Sequence, residues 1–340
     1  MAFPLFQLPI LVIKLVLETM RLLDLFVLTS SSSRTKRIVK NLVTIRNHNM
    51  RIFMTSEAFM FDFRPNSDPS FEERSYFLFG KFHQPKDAFY LKIGSNDRIS
   101  SKFVKATDGT AVLRIYWNKT FLISTQLYST IFEVFKLPLK VVQMDFEGVE
   151  TCRNWINWNN TTLHDASIVE IMGKCDFRTY TCILKYIRTE NELAIRVEPT
   201  EYPSVDPEDP EIIENLNVER TKLLIKHGRW ITMQQLKAIK ASDISLNKVS
   251  FTDFQINSIL RDLRDSEEVT NLKRLKICFN RVANPETVLE GIDVTEDLMT
   301  PVDAMNQWSF EMASGRKCTV IYAEYESDVQ EFGFEFRVGI

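Results

Sequence analysis

One stretch near the start limits what this chain can fold into more than any other. Phe6 to Lys40 reads FQLPILVIKLVLETMRLLDLFVLTSSSSRTKRIVK. Pro9 suits a first helical turn, because its missing N–H is one of the donors left unbonded there in any case. From Ile10 to Arg21 the only charged residues are Lys14, Glu18 and Arg21, and helical geometry puts them on one narrow stripe. Lys14 and Glu18 are four apart and can pair. Leu11, Val12, Ile13, Leu15, Val16 and Leu17 fill the rest of the circumference. A surface helix normally buries an apolar arc of about a third of its circumference. This one needs cover on nearly every side. Each such side chain taken out of water contributes about 1.5–3 kcal/mol, so leaving a few exposed is a strong reason to associate.

Part of the cover is expected from the next segment, Leu22 to Leu28, through Leu22, Leu25, Phe26 and Leu28. A third segment, Arg34 to Val43, follows a serine run that offers N-cap candidates. Its Arg34, Lys36, Arg37 and Lys40 are basic, so Ile38, Leu42 and Val43 are expected to supply its packing. The stretch is too short for a core of its own and reads as a docking device. A membrane anchor fits poorly. The longest uncharged run of this stretch, Met1 to Ile13, is well short of the about 20 residues a spanning helix needs. A signal peptide also fits poorly, because no basic segment precedes that run and Pro4 and Pro9 lie inside it.

Leu8-Pro9, the apolar helix, Leu22-Leu23-Asp24-Leu25 and the basic Arg34-Thr35-Lys36-Arg37 resemble an F-box, more narrowly that of the nematode F-box proteins with a type 2 F-box-associated domain. The resemblance implies a three-helix unit over residues 1–45 that binds the Skp-type adaptor of SCF ubiquitin ligases. By position it puts the adaptor contacts on Leu8, Pro9, Val12, Ile13, Leu25 and Leu28. The chain departs from the common F-box pattern at two places. Ile10 and Leu11 stand where acidic residues often follow Leu-Pro, and Thr35-Lys36-Arg37 stands where a tryptophan is common.

After the basic segment the apolar period changes to two. Phe59, Phe61 and Phe63 alternate with Ala58, Met60 and Asp62, and strand candidates follow at Tyr76–Phe79, Phe89–Ile93 and Val112–Trp117. Asp108-Gly109 is a hairpin signal, since glycine accepts a positive φ. An antiparallel β-rich region is expected over 46–125, with an exposed polar loop from Pro65 to Glu73.

A helix with Leu127, Ile131, Phe132 and Phe135 on one side opens the remainder, 126–340. Short strands and helices then alternate. Strands are expected at Leu139–Phe146, Ser167–Met172, Leu193–Val197, Leu223–Ile225, Ile244–Val249 and Leu272–Phe279. Helices are expected at Cys152–Trp158 and Phe177–Ile187, and after Thr232 and Thr252, each of which has the T-x-x-Q spacing of a capping box. Phe254, Ile259, Leu260 and Leu263 are expected to form the buried face of the last of these. The acidic, proline-rich run Pro199 to Glu211 reads as a loop in which regular pairing is forbidden. The strands recur at intervals of about 20–30 residues, the range of leucine-rich-type repeats, in which each strand–helix unit buries its core by stacking on its neighbours. An ordinary α/β sheet with short crossovers accounts for the same alternation. Arg229-Trp230-Ile231-Thr232, Leu272-Lys273-Arg274-Leu275-Lys276-Ile277 and Arg316-Lys317-Cys318-Thr319-Val320 resemble landmarks of the type 2 F-box-associated domain. In the tail, Trp308, Phe310 and Met312, then Cys318, Val320 and Tyr322, then Phe332, Phe334, Phe336 and Val338 alternate with polar or small residues and read as strands that cap the last repeat. The fold class is thus α+β to α/β, with an N-terminal three-helix F-box, an antiparallel β region, and irregular leucine-rich-repeat-like β/α units closed by a C-terminal β cap.

No catalytic constellation stands out. His48, His83, His164 and His227 are scattered, and only His164-Asp165 places a carboxylate beside one. No phosphate-binding glycine loop and no GxSxG elbow is present. Glu72-Glu73 and Glu267-Glu268 read as solvated faces, and Trp155 and Trp158, three apart on a helix, as core. Cys152, Cys175, Cys182, Cys278 and Cys318 form no zinc spacing and no disulfide framework, which fits reduced thiols inside a cell, in cytoplasm or nucleus. A net charge of −3 argues against a non-specific nucleic-acid partner. The resemblance therefore implies a non-catalytic subunit that needs no cofactor or metal. It docks on the Skp-type adaptor through the F-box and binds an unidentified target protein with the C-terminal domain. The alternative is a repeat-type interaction scaffold with no ligase, whose first helices cover its own core.

Overall fold

The structure is a computed structural model. It describes residues 5–45, 48–56, 58–65, 75–80, 85–93, 96–116, 120–146, 149–201, 209–266, 271–296, 306–325 and 331–339. The chain is mixed α+β, with ten α-helices among the described residues and strand pairing that is mostly antiparallel. It divides into two compact units, Met1–Gln143 and Met144–Ile340.

The first unit opens with helices α1 (Ile10–Glu18), α2 (Leu22–Ser31) and α3 (Ser33–Leu42). Strands β1 (His48–Met54), β2 (Ala58–Pro65), β3 (Ser75–Gly80), β4 (Phe89–Ile93), β5 (Asn96–Lys105) and β6 (Ala111–Tyr116) follow. Helix α4 (Thr120–Phe135) and strand β7 (Leu139–Asp145) close it, the end of β7 running into the second unit. The strand order is β7-β1-β2-β3-β6-β5-β4. Neighbours whose pairing is described are antiparallel, except that β3 and β6 run parallel, because the β4–β5–β6 meander brings its last strand back beside β3. Gly109, at φ +84°, makes the turn between β5 and β6, and the Thr110 N–H donates to Asp108 Oδ1 at 2.9 Å. The β2 alternation puts Phe59, Phe61 and Phe63 in the core. Phe26 of α2 meets Phe77 of β3 edge-on at 4.7 Å between ring centres, and Phe77 also meets Phe63 at 5.4 Å. The expected loop Pro65 to Glu73 lies outside the described residues except for Pro65, which ends β2.

Two expected helix faces differ from the observed ones. In α3 the buried residues are Thr35 and Val39, with Val43 one turn on, while Ile38 and Leu42 are only half-buried. In α4 Leu127, Ile131, Val134 and Phe135 are buried and Phe132 is half-exposed, stacked on Tyr128 at 5.9 Å. Residues at i, i+4 and i+8 lie in one row, and which row faces inward is set by the neighbouring elements.

The second unit contains α5 (Val149–Thr162), β8 (Ile168–Met172), β9 (Lys174–Cys175), α6 (Phe177–Tyr186), β10 (Glu192–Ile195), β11 (Glu198–Pro199) and α7 (Pro210–Leu216). It continues with β12 (Arg220–Ile225), α8 (Met233–Ala238), β13 (Ala241–Leu246), α9 (Asp253–Asp265), β14 (Arg274–Phe279) and α10 (Pro285–Leu289). It ends with β15 (Thr295–Glu296), β16 (Asn306–Glu311), β17 (Lys317–Tyr325) and β18 (Glu331–Val338). Strands β8, β10, β12, β13 and β14 lie side by side in chain order and run parallel. Their register stacks apolar rows. Val169, Leu193, Leu223, Ile244 and Leu275 form one; Ile171, Ile195, Ile225, Leu246 and Ile277 form the other, and all are buried. Strand β18 adds antiparallel to β14 and extends both rows with Phe336 and Phe334, so the open edge of the parallel strands is covered. Gly333 permits that pairing, since a Cβ there would lie 2.4 Å from the Ile277 carbonyl oxygen.

The helices between these strands start where capping chemistry dictates. Thr232 and Thr252 each accept from the N–H three residues on, while Gln235 and Gln255 reach back to the cap N–H, making full capping boxes for α8 and α9. The run Pro199 to Glu211, expected as a loop, has regular structure at both of its described ends. Its residues 202–208 lie outside the described residues. Pro199 pairs parallel with Cys175, because Glu198 and Thr200 supply the ladder donors and the ring's missing N–H is skipped. Asp209 accepts from the N–H groups of Glu211 and Ile212 and, with Pro210 behind it, starts α7. Phe254 is exposed; the buried face of α9 is Ile256, Asn257, Ile259 and Leu260.

Candidate functional site

Helix α1 is built as its sequence dictates. The carbonyl of Pro9 accepts from the N–H groups of Val12 (2.9 Å) and Ile13 (3.0 Å), so the helix begins at Ile10. Lys14 and Glu18 pair across one turn at 3.8 Å. Arg21 grips Asp24 with two hydrogen bonds, of 2.7 and 3.1 Å, and this contact raises the Arg21 pKa. Ser32 starts α3 by accepting from the Thr35 N–H at 3.1 Å.

Ile13 and Leu17 turn inward, together with Leu22, Leu23, Leu25 and Phe26 of α2. The other side of α1 is bare: Ile10 is 65%, Leu11 73% and Leu15 63% exposed, and Val12 is also exposed. Of the six residues singled out from the sequence, Pro9 and Val12 are exposed, Leu8 and Leu28 are half-buried, and Ile13 and Leu25 lie in the unit's core. The most open residues, Ile10, Leu11 and Leu15, were not among the six; the signal for them was the all-round apolar character of the helix.

Basic side chains stand close by in the sequence. Lys36 and Lys40 of α3 both pair with Glu133 of α4, which is held below the usual carboxylate range, chiefly by Lys36. Arg34 and Arg37 are exposed and carry no ion pair among the described residues.

A second surface is the outer face of the parallel strands, where Glu192, Lys222, Asp243 and Arg274 stand in one row. Lys222 meets Glu192 at 2.6 Å, Arg274 meets Glu335 at 2.9 Å and Asp243 at 3.7 Å, and Arg196 meets Glu170 at 2.6 Å. Desolvation would raise the Glu335 pKa, but Arg274 and Arg337 outweigh it and leave the carboxyl lowered. Arg274 and Lys276 lie half-buried on this face, and exposed Lys273 precedes the strand.

No group of three or more histidines, cysteines or acids suited to a metal occurs among the described residues. His164 lies 3.3 Å from Asp165 with both side chains largely in solvent. His227 is buried, and its desolvation pushes its pKa down to about 4. All five cysteines are buried free thiols; burial pushes Cys175 and Cys318 each up to about 12. Trp155 packs on Phe146 at 5.1 Å, and Trp158 is buried too. No helix among the described residues is long and apolar enough to cross a membrane.

No protein-family model matches the chain, and no match was found among curated proteins or solved structures.

Proposed function

We propose that this chain is the target-binding subunit of an SCF-type ubiquitin ligase, docking on the Skp-type adaptor through its first helices and holding a target protein with the second unit. The bare apolar row Ile10, Leu11 and Leu15 carries this reading. Three large aliphatic side chains left mostly in water on one short helix give about 1–2 kcal/mol each on burial, enough to drive association. Contact centres on Pro9, Val12 and this row, while Ile13 and Leu25 hold the helices in place from below. The parallel strands of the second unit, in chain order and capped by β18, support a target-binding role, because a repeat-like stack of this kind would present a rigid, extended face. Ubiquitin transfer belongs to other subunits, and this one contributes proximity. The test is capture of a purified Skp-type adaptor by the full chain. Wild type retains it, and Leu11→Asp with Leu15→Asp does not; equal capture by both ends the docking role of α1.

One observation favours the scaffold alternative. Phe26 of α2 lies against Phe77 of β3, so this helix contributes to the unit's own core. On that reading the full chain captures no adaptor, and removing the first 45 residues unfolds the first unit. Under the ligase reading the truncation also costs stability, so adaptor capture is the measurement that separates the two.

A further inference from the structure

The second unit holds two adjoining cavities where strands β12, β13 and β14 begin. The first, about 560 Å³, lies between α8 and α9 and is walled by Leu236, Ile244, Ile259, Leu263 and Leu275. Its origin is a mismatch in helix length. Both helices start from a capping box, but α8 has six residues and α9 thirteen. At 1.5 Å per residue the last turns of α9 run on for about 10 Å without a partner from α8. Lys237 and Asp262, at 2.9 Å, bridge the two helices at the cavity wall.

The second cavity, about 600 Å³, shares Glu219, Lys240 and Asn271 with the first and has a different chemistry. Here the inner face of the strands continues one step past Leu223, Ile244 and Leu275 and becomes polar at Thr221, Ser242 and Lys273. Ser242 Oγ donates to the Thr221 carbonyl at 2.7 Å, and the Lys273 N–H donates to the Ser242 carbonyl at 2.8 Å. Among the lining side chains Lys240, Lys273 and Arg220 oppose Glu190 and Glu219, an excess of one positive charge. Arg220 is buried; its guanidinium donates to Asn215 Oδ1 at 2.6 Å and to the Val218 carbonyl at 3.3 Å, and it has no carboxylate partner among the described residues.

A mostly aliphatic gap, rimmed by Lys237 and Asp262, that adjoins a basic pocket has the polarity of an amphiphile, and both volumes are those of small-molecule sites. We propose that the joined cavities bind a fatty carboxylate, with its chain between α8 and α9 and its head group at Lys240 and Lys273. One net positive charge suits a monoanion, whereas a phosphate dianion would meet Glu190 and Glu219 with a charge left over.

Dodecanoate titrated into the full chain by calorimetry tests this. One-to-one saturable binding is expected. Lys240→Glu should weaken it tenfold or more, and Leu263→Trp, which fills the gap, should abolish it. Phe254→Ser, exposed on the same helix, should leave it unchanged, and 1-dodecanol should bind at least tenfold more weakly than dodecanoate. Absence of saturable heat, or affinity unmoved by both Lys240→Glu and Leu263→Trp, overturns the site. Equal affinity for the alcohol overturns the carboxylate head. If Leu263→Trp proves unfolded by circular dichroism, Lys240→Glu decides alone.

Discussion

Leu11 and Ile13 stand two residues apart on α1, yet Leu11 is 73% exposed and Ile13 is 7% exposed. Two steps along a helix turn a side chain by about 200°, so one faces water and the other the core. The same helix therefore anchors itself to the first unit and offers an unpaired apolar face.

Substitutions on the two faces should behave oppositely. Leu11→Asp with Leu15→Asp should change stability by no more than about 1 kcal/mol, as surface changes do, and abolish adaptor capture. Ile13→Ala should cost about 2 kcal/mol or more through the cavity it leaves, and weaken capture only through that loss of stability. Urea melts of each variant alongside the capture assay separate the effects.

Tyr180 should matter for its hydroxyl. Trp230 Nε1–H donates to Tyr180 Oη at 2.9 Å, and the Tyr180 O–H donates to the His227 carbonyl at 3.0 Å, all within the core. Tyr180→Phe leaves a buried donor and a buried acceptor unmet, at an expected cost of about 1–3 kcal/mol, read from denaturant melts.

Gly333 should not accept a side chain. Its Cβ would press on the Ile277 carbonyl, which is backbone and held in the β14–β18 ladder. Gly333→Val is expected to lower stability by about 3 kcal/mol and to expose β14 amides to hydrogen exchange. Gly315→Ala, at a φ of +77° but with open space around it, should cost less, about 1 kcal/mol.

Acid should destabilise the second unit through His227. Burial, helped by Lys248, depresses its folded pKa to about 4, against 6.5 for the free side chain. The folded state thus keeps the imidazole neutral while the unfolded chain takes up a proton. The stability this group allows is present above pH 6.5 and is lost as pH falls toward about 4, by about 3 kcal/mol in total. His227→Gln should flatten the pH dependence of the melting temperature over that window. Glu335, held low by Arg274 and Arg337 against its own desolvation, loses its contribution only at lower pH, below the ordinary glutamate value of 4.5.

Much of the fold was legible because its signals are local. The β2 phenylalanines, both capping boxes, the Asp108-Gly109 turn and the alternation of Phe332, Phe334, Phe336 and Val338 depend on residues close together in the chain, and the structure has them as expected. Helix α7 was missed although Asp209-Pro210 is an N-cap followed by a helix-starting proline; the surrounding prolines hid it. The faces of α3, α4 and α9 were misjudged wherever a large apolar residue, such as Phe132 or Phe254, sat one step from the buried row.

The amino-acid order by itself determined the capping-box starts of α8 and α9, which residues of β2 and β18 alternate, and that α1 carries more apolar surface than one side of packing can cover. The tertiary structure alone decided which part of that surface stays bare, that β6 returns beside β3, and that helices of unequal length leave a cavity between them. The first set follows from periodicity and backbone chemistry within a few residues. The second follows from which distant elements meet, and no local pattern encodes that.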